Sequence, residues 1–236
     1  MPAGRRRWLP TATACAMMVA ASSGVPACTR EGSDTKAQDS STQSQSTQSQ
    51  ATDKPTGPVT GTAGRLPTLG DYIKQNNITE AQVRADDPNA PAITLPVLPD
   101  WKDTGAATPP YAYAGLINTD PATAADPPTI IVVFSKLEGA DPAEILKLAP
   151  NEIRNLPEFN GDDEAKRDKL AGFDSVQIGG TYVRDGVTRL IGQKTVAIPG
   201  KDGLYVLQIN ADALKDQVVL LVTATDAMDR LATIKP

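Results

Sequence analysis

Histidine is absent from the 236 residues, and the two cysteines, Cys15 and Cys28, both fall near the N-terminus. No Ser-His-Asp or Cys-His triad can therefore be assembled. Zinc sites draw mainly on His and Cys, so a zinc centre is not expected either. Without a thiol beyond residue 28, the body of the chain can form no internal disulfide and faces no mispairing in an oxidising compartment. Aromatic residues are scarce, 4% against 40% hydrophobic overall, so the core must be packed from Val, Ile, Leu and Ala. A Gly-rich phosphate loop is also missing. Gly179-Gly180 lies in a strand context without GxGxxG or Lys-Ser/Thr spacing, and we read it as a β-bulge. Basic charge is in deficit, 23 Lys and Arg against 28 Asp and Glu, a net −5. Loss of Arg5, Arg6 and Arg7 with a leader would take that to −8. Such a body repels phosphate backbones and anionic headgroups, which argues against nucleic-acid binding and electrostatic membrane adhesion.

What is present begins with an address. Arg5-Arg6-Arg7 makes a basic n-region, Trp8 to Ala21 is uncharged and Ala-rich, and Val25-Pro26-Ala27-Cys28 has lipobox character. This pattern predicts a signal peptide over residues 1–27, with Cys28 as the lipid-bearing first residue of the mature chain. The apolar stretch is too short and too rich in Thr and Ser for a membrane span. Cys15 also follows small residues, but an h-region ending there would be too short, so it is assigned to the leader. Val25 stands where a lipobox usually has Leu. The Arg5-Arg6-Arg7-Trp8-Leu9 run loosely fits a twin-arginine signal as well.

Residues 28–67 are nearly free of large apolar side chains, and Ser40 to Gln50 is a Ser/Thr/Gln tract. Such a segment is expected to be a disordered tether with a root-mean-square span of about 35 Å. A single domain is expected over 68–236. Thr68-Leu69-Gly70-Asp71 is a capping-box-like helix start, and Asn77-Ile78-Thr79 matches a glycosylation sequon, which we read as coincidence. Ala92–Leu95, Tyr111–Asn118 and the apolar run Thr129–Lys136 read as strands. Asp141-Pro142-Ala143-Glu144 opens a helix with Ile145, Leu148 and Ile153 on one face, stopped by Pro157. Gly161–Lys169 reads as a charged loop. Three antiparallel strands follow, Phe173–Arg184, Val187–Ile198 and Leu204–Ala211, joined by the Asp185-Gly186 hairpin turn and a longer turn over Pro199–Gly203. Gln217–Ile234 reads as a terminal helix. The pattern is an α+β fold, an antiparallel sheet covered by helices.

Four phrases carry a resemblance. They are Ser135-Lys136-Leu137-Glu138-Gly139, residues 141–159 (DPAEILKLAPNEIRNLPEF), residues 172–180 (GFDSVQIGG) and residues 193–212 (QKTVAIPGKDGLYVLQINAD). Together they resemble the LpqN/LpqT family of mycobacterial lipoproteins, from about Thr68 to the C-terminus. The resemblance implies an α/β/α sandwich similar to the Mog1/PsbP group. It also implies a non-enzymatic accessory protein, with no catalytic residue or cofactor to carry over. The export signal and the resemblance together place it at the cell envelope, held to the outer face of the cytoplasmic membrane through Cys28 alone, or partly released.

Two functions fit. One is a protein-binding or assembly module with envelope proteins as partners. The other is a carrier or sensor of an envelope lipid or glycolipid of the trehalose mycolate type, which requires an apolar pocket beside the sheet. Trp101, Tyr111 and Tyr113 are candidate ligand-binding residues, because three rings in so ring-poor a domain could stack on a sugar. The competing reading has Trp101 plugging the core after Leu95-Pro96-Val97-Leu98-Pro99. Asp162-Asp163-Glu164 and Asp86-Asp87 are the candidate carboxylates for glycosidase-type catalysis, and the first run is also the candidate for Ca²⁺. Runs of this kind on loops are usually solvated surface, and no EF-hand spacing accompanies them.

Overall fold

A computed structural model describes residues 64–236; the expected leader, Cys28 and nearly all of the expected tether lie outside the described residues. Helix α1 (Leu69–Gln75) starts on the anticipated capping box. Thr68 Oγ1 accepts from the Asp71 backbone N–H, and Asp71 Oδ2 accepts from the Thr68 N–H at 2.8 Å. That backbone hydrogen bond is the main reason the Asp71 carboxyl titrates below the usual range. Strands β1 (Thr79–Gln82), β2 (Ala92–Thr94), β3 (Trp101–Asp103), β4 (Ala114–Asn118) and β5 (Thr129–Glu138) follow.

The segment opened by Asp141 is two helices, α2 (Pro142–Leu148) and α3 (Pro150–Arg154). Asp141 caps the first through the Ala143 N–H, and Pro150 lacks the N–H that a continuous helix would need. Then come β6 (Asn160–Gly161), β7 (Lys166–Leu170), β8 (Phe173–Arg184), β9 (Val187–Gly200), β10 (Gly203–Leu214), helix α4 (Val218–Leu231) and β11 (Thr233–Lys235).

Four long antiparallel strands in the order β5-β10-β9-β8 form the middle of a nine-stranded sheet. The Asp185-Gly186 turn joins β8 to β9 as expected, with φ of 53° and 74°, the two left-handed residues a tight hairpin turn needs. The outer edge of β5 is shared by β1 and β4, and that of β8 by β7 and β6. Short, charged edge segments of this kind leave little exposed backbone for another chain to pair with.

Several expectations change. Lys166–Leu170 is a strand, not part of a charged loop; only Leu170 is buried, so no apolar alternation marks it. The middle strand Tyr111–Asn118 begins at Ala114. The meander strands run on to Gly200 and back from Gly203, leaving only Lys201-Asp202 as the turn. The terminal helix stops at Leu231, and Thr233–Lys235 instead pairs with β2. No bulge occurs at Gly179-Gly180, since pairing is continuous from Ser175↔Val196 to Arg184↔Val187.

The sheet separates two apolar layers. On one face Val176, Ala197, Leu204 and Val206 pack with Leu69 and Tyr72 of α1 and with Ile145, Leu146 and Leu148 of α2. On the other, Ile130, Val132, Phe134, Leu207 and Ile209 pack with Leu221, Ala224 and Met228 of α4 and with Ile234 of β11. Full burial of a Leu, Ile or Phe side chain contributes about 1.5–3 kcal/mol. The result is a helix–sheet–helix sandwich of α+β type.

The face beneath α3 turns polar along the strands. Glu152 Oε2 accepts from Gln208 Nε2 at 3.2 Å and Gln193 Nε2 at 3.4 Å, and Gln193 also donates to Asn210 Oδ1 at 2.9 Å. Burial pushes the Glu152 carboxyl above its ordinary range, and the two amide donors only partly offset it. A carboxyl raised on folding stabilises below its unfolded value and loses that contribution as pH rises through its folded value. Glu152→Gln keeps an acceptor for both amides without the buried charge. The variant is expected to melt above the wild type at pH 7, the gap closing toward about pH 4. A gap independent of pH in thermal melts would refute the assignment.

Candidate functional site

The site follows from two glycines brought face to face. A two-residue turn at 185–186 fixes the register of β8 on β9 and sets Gly179 opposite Gly192. Alternate residues of a strand point to opposite faces. Gly179 and Gly192 therefore share the α4 face of the sheet, while Gly180 lies on the other. A Cβ on Gly192 would meet no atom within 4 Å, and one on Gly179 would make only ordinary contacts. At Gly180 a Cβ would stand 2.6 Å from the Asn160 carbonyl oxygen and 2.8 Å from Phe159 Cε2. The adjacent glycines thus do separate work: Gly180 lets β6 and Phe159 approach β8 closely, and Gly179 leaves space under the helix.

That space is a cavity of about 310 Å³ between α4 and strands β8 and β9. Leu190, Ile209, Leu221 and Met228 supply apolar wall, and Val218 and Val222 line it from the first turns of α4. One part is ionic. Lys194, 5% exposed, brings Nζ to 2.7 Å from Asp229 Oδ1 and 3.8 Å from Asp168 Oδ2. Nζ is buried and makes no well-aligned hydrogen bond among the described residues, so the contact is an ion pair that closes this end of the cavity. The Asp168 carboxyl titrates below the usual range, chiefly through the Lys169 backbone N–H and then through Lys194. An apolar slot ending in a paired cation and anion suits an amphiphile with an uncharged polar head. A bare carboxylate head would have to compete with Asp229.

The three candidate rings do not meet there. Trp101 is half-buried on β3, packed against the core, and Tyr113 stands edge-on to Phe134 with ring centroids 5.5 Å apart. Tyr111 is 60% exposed. None lines the cavity under α4. The acidic runs at 162–164 and 86–87 lie on the exposed surface, with Arg154 bonded to the Asp163 carbonyl oxygen. The sequence reading does not single out Lys194, Asp229 or Gly192, and it takes Gly179 for part of a bulge. The equal spacing of Gly179 and Gly192 about the Asp185-Gly186 turn was the available signal.

By architecture the protein is an α+β sandwich domain with a cavity beneath its terminal helix. Among the described residues no helix is long and apolar enough to cross a membrane. A family model described as "Probable lipoprotein LpqN" matches residues 66–235, and the chain belongs to that lipoprotein family. Lipoprotein LpqN of Mycobacterium tuberculosis (strain ATCC 25618 / H37Rv) is 43% identical over 177 residues, covering 74% of this chain and 76% of that one. The crystal structure of LpqN "involved in cell envelope biogenesis of Mycobacterium tuberculosis" aligns with a TM-score of 0.67 at 43% identity. It covers 72% of this chain and 98% of the solved one, so that solved chain consists almost wholly of the equivalent folded body. The α+β sandwich is thereby established, and the relatives carry lipoprotein names and no enzymatic one.

Proposed function

We propose that this protein is a non-catalytic cell-envelope lipoprotein, held through Cys28 to the outer face of the cytoplasmic membrane. In this reading its domain carries the apolar part of an envelope lipid or glycolipid in the cavity under α4. The cavity is the observation that carries the proposal. At about 310 Å³ it stands at the lower end of the roughly 300–1,000 Å³ of ligand sites, which suits one acyl chain with its head toward Lys194 and Asp229. Each methylene moved out of water into such a slot contributes about 0.8 kcal/mol. A larger cleft of about 690 Å³ beside α2 is lined in part by Asp141, Arg167, Asp168 and Asp174, which suits an acyl chain less than the apolar slot under α4, so the carrier reading takes precedence over the expected protein-binding or assembly role. Envelope proteins then enter as recipients of the cargo.

Native mass spectrometry of the protein recovered from the envelope of its parent cell tests both halves. The expected spectrum shows a chain beginning at a diacylglyceryl-modified Cys28, with an amphiphile that is released on gas-phase activation. A chain still bearing residues 1–27, or an unmodified Cys28, would overturn the anchor. A domain that takes up nothing even after incubation with envelope lipid extract would overturn the carrier.

A further inference from the structure

The inward positions of α4 are ordinary, with Leu221, Ala224 and Met228 buried against the sheet. Its exposed positions are not. Val218, Val219 and Val222 are 43%, 73% and 49% exposed and lie next to one another at helical spacing. An amphipathic helix on a soluble domain normally places polar residues there. Valine is also a poorer helix former than the residues usually found at such positions, so helix propensity does not explain the choice. From Gln217 to Thr225 the chain carries no charge at all. A partner held by ion pairs is not what this face is built for.

We propose that the first two turns of α4 seat the domain on a lipid surface, with these three valines entering the boundary between headgroups and acyl chains. Two further observations commit the face to lipid. Val218 and Val222 belong at once to the exposed patch and to the cavity wall, so a bilayer touching the patch also meets the cavity opening. An acyl chain could then pass from membrane to slot without crossing water. The second concerns reach: Cys28 precedes the first described residue, Gly64, by a length of chain that spans at most about 130 Å when extended. This places a membrane-anchored domain within range of its own bilayer. Asp216 and Asp226 flank the uncharged stretch, so contact should depend on apolar burial and not on anionic lipid. The proposal deepens the carrier reading by naming where cargo enters.

Residues 64–236 contain no cysteine, so single thiols can be introduced cleanly. The probe is an environment-sensitive fluorophore attached to Val219→Cys, compared with the same label on Val97→Cys, a valine 96% exposed outside α4. The domain is titrated with vesicles of phosphatidylcholine alone and with added phosphatidylglycerol. The label at 219 should shift to the blue on neutral vesicles, with no gain from phosphatidylglycerol and little effect of salt, while the label at 97 stays unchanged. Adding Val218→Ser and Val222→Ser should raise the vesicle concentration needed by about tenfold, with the circular dichroism unaltered. Silence at 219, equal shifts at both positions, or indifference to the serine pair would overturn the proposal and return the patch to a protein partner. A cavity-filling change at Gly192 should leave the vesicle response intact, so failure of seating and failure of cargo binding are read separately.

Discussion

Gly192→Val is expected to weaken uptake of an apolar chain strongly while leaving the domain folded. The added Cβ meets no neighbour within 4 Å and the backbone is not in the left-handed region, so the side chain grows into the cavity and not into protein. Strand interiors favour β-branched residues, and glycine there costs about 0.5–1 kcal/mol, so the variant should be at least as stable as the wild type. A ligand forced to share the slot with a valine meets an overpacking penalty of about 1–3 kcal/mol, or roughly 5- to 150-fold in affinity. Displacement of a fluorescent acyl probe, read beside a thermal melt, checks both parts. Unchanged affinity would mean that cargo is not held over the glycine pair. The same substitution at Gly180 makes the contrast, because the Asn160 backbone blocks it from the other face.

Loss of Arg189 should have the largest effect on stability. Its side chain is only 5% exposed, and it holds two carboxylates at once. Nη1 and Nη2 donate to the two oxygens of Asp126 at 2.5 and 3.1 Å, and Nε donates to Asp212 Oδ1 at 2.8 Å. Burial alone would disfavour the guanidinium charge, but Asp126 and Asp212 outweigh it and raise the pKa further above its ordinary value. Tyr182 donates to Asp212 Oδ2, and burial together with that carboxylate pushes its hydroxyl up to about 12. Gln217, just before α4, donates to the Asp126 carbonyl oxygen, so the cluster ties the loop before β5 to β9, β10 and the start of α4. Arg189→Met leaves Asp212, whose side chain is 16% exposed, with only the Tyr182 hydroxyl and a longer 3.4 Å contact to Arg184, and should cost about 3 kcal/mol, the lower end of the range for a broken buried pair. For a domain of this size each kcal/mol is worth roughly 2–4 °C of melting temperature. Arg189→Lys retains charge without the planar fork and should fall between the two. A loss below about 1 kcal/mol for the methionine variant would show that the cluster is solvated rim and not a structural tie.

The legibility of this protein in its sequence follows the range of the interactions involved. The Thr68–Asp71 capping box, the Asp141 cap and the Asp185-Gly186 turn were all readable, because each depends on residues a few positions apart. Strand β7 was not: its side chains from Lys166 to Lys169 face solvent, and its partner strand alone makes it a strand. The break at Pro150 was passed over because Ile145, Leu148 and Ile153 keep a helical spacing across it. Trp101, Tyr111 and Tyr113 are near one another in sequence, and in the fold Trp101 and Tyr113 pack against the same core layer while Tyr111 is exposed.

By itself the sequence determined what chemistry the chain lacks, the α+β class, the hairpin at its centre and the family to which it belongs. These rest on residue types and on contacts between near neighbours, which a linear pattern records. Only the tertiary structure decided that Gly179 and Gly180 serve opposite faces, that Lys194 is buried beside Asp229, and that α4 roofs a cavity. Those outcomes depend on pairing register carried across strands and on a helix returning over the sheet from far along the chain. Residues distant in sequence set the surroundings of each side chain there, and no local pattern encodes which of them will meet.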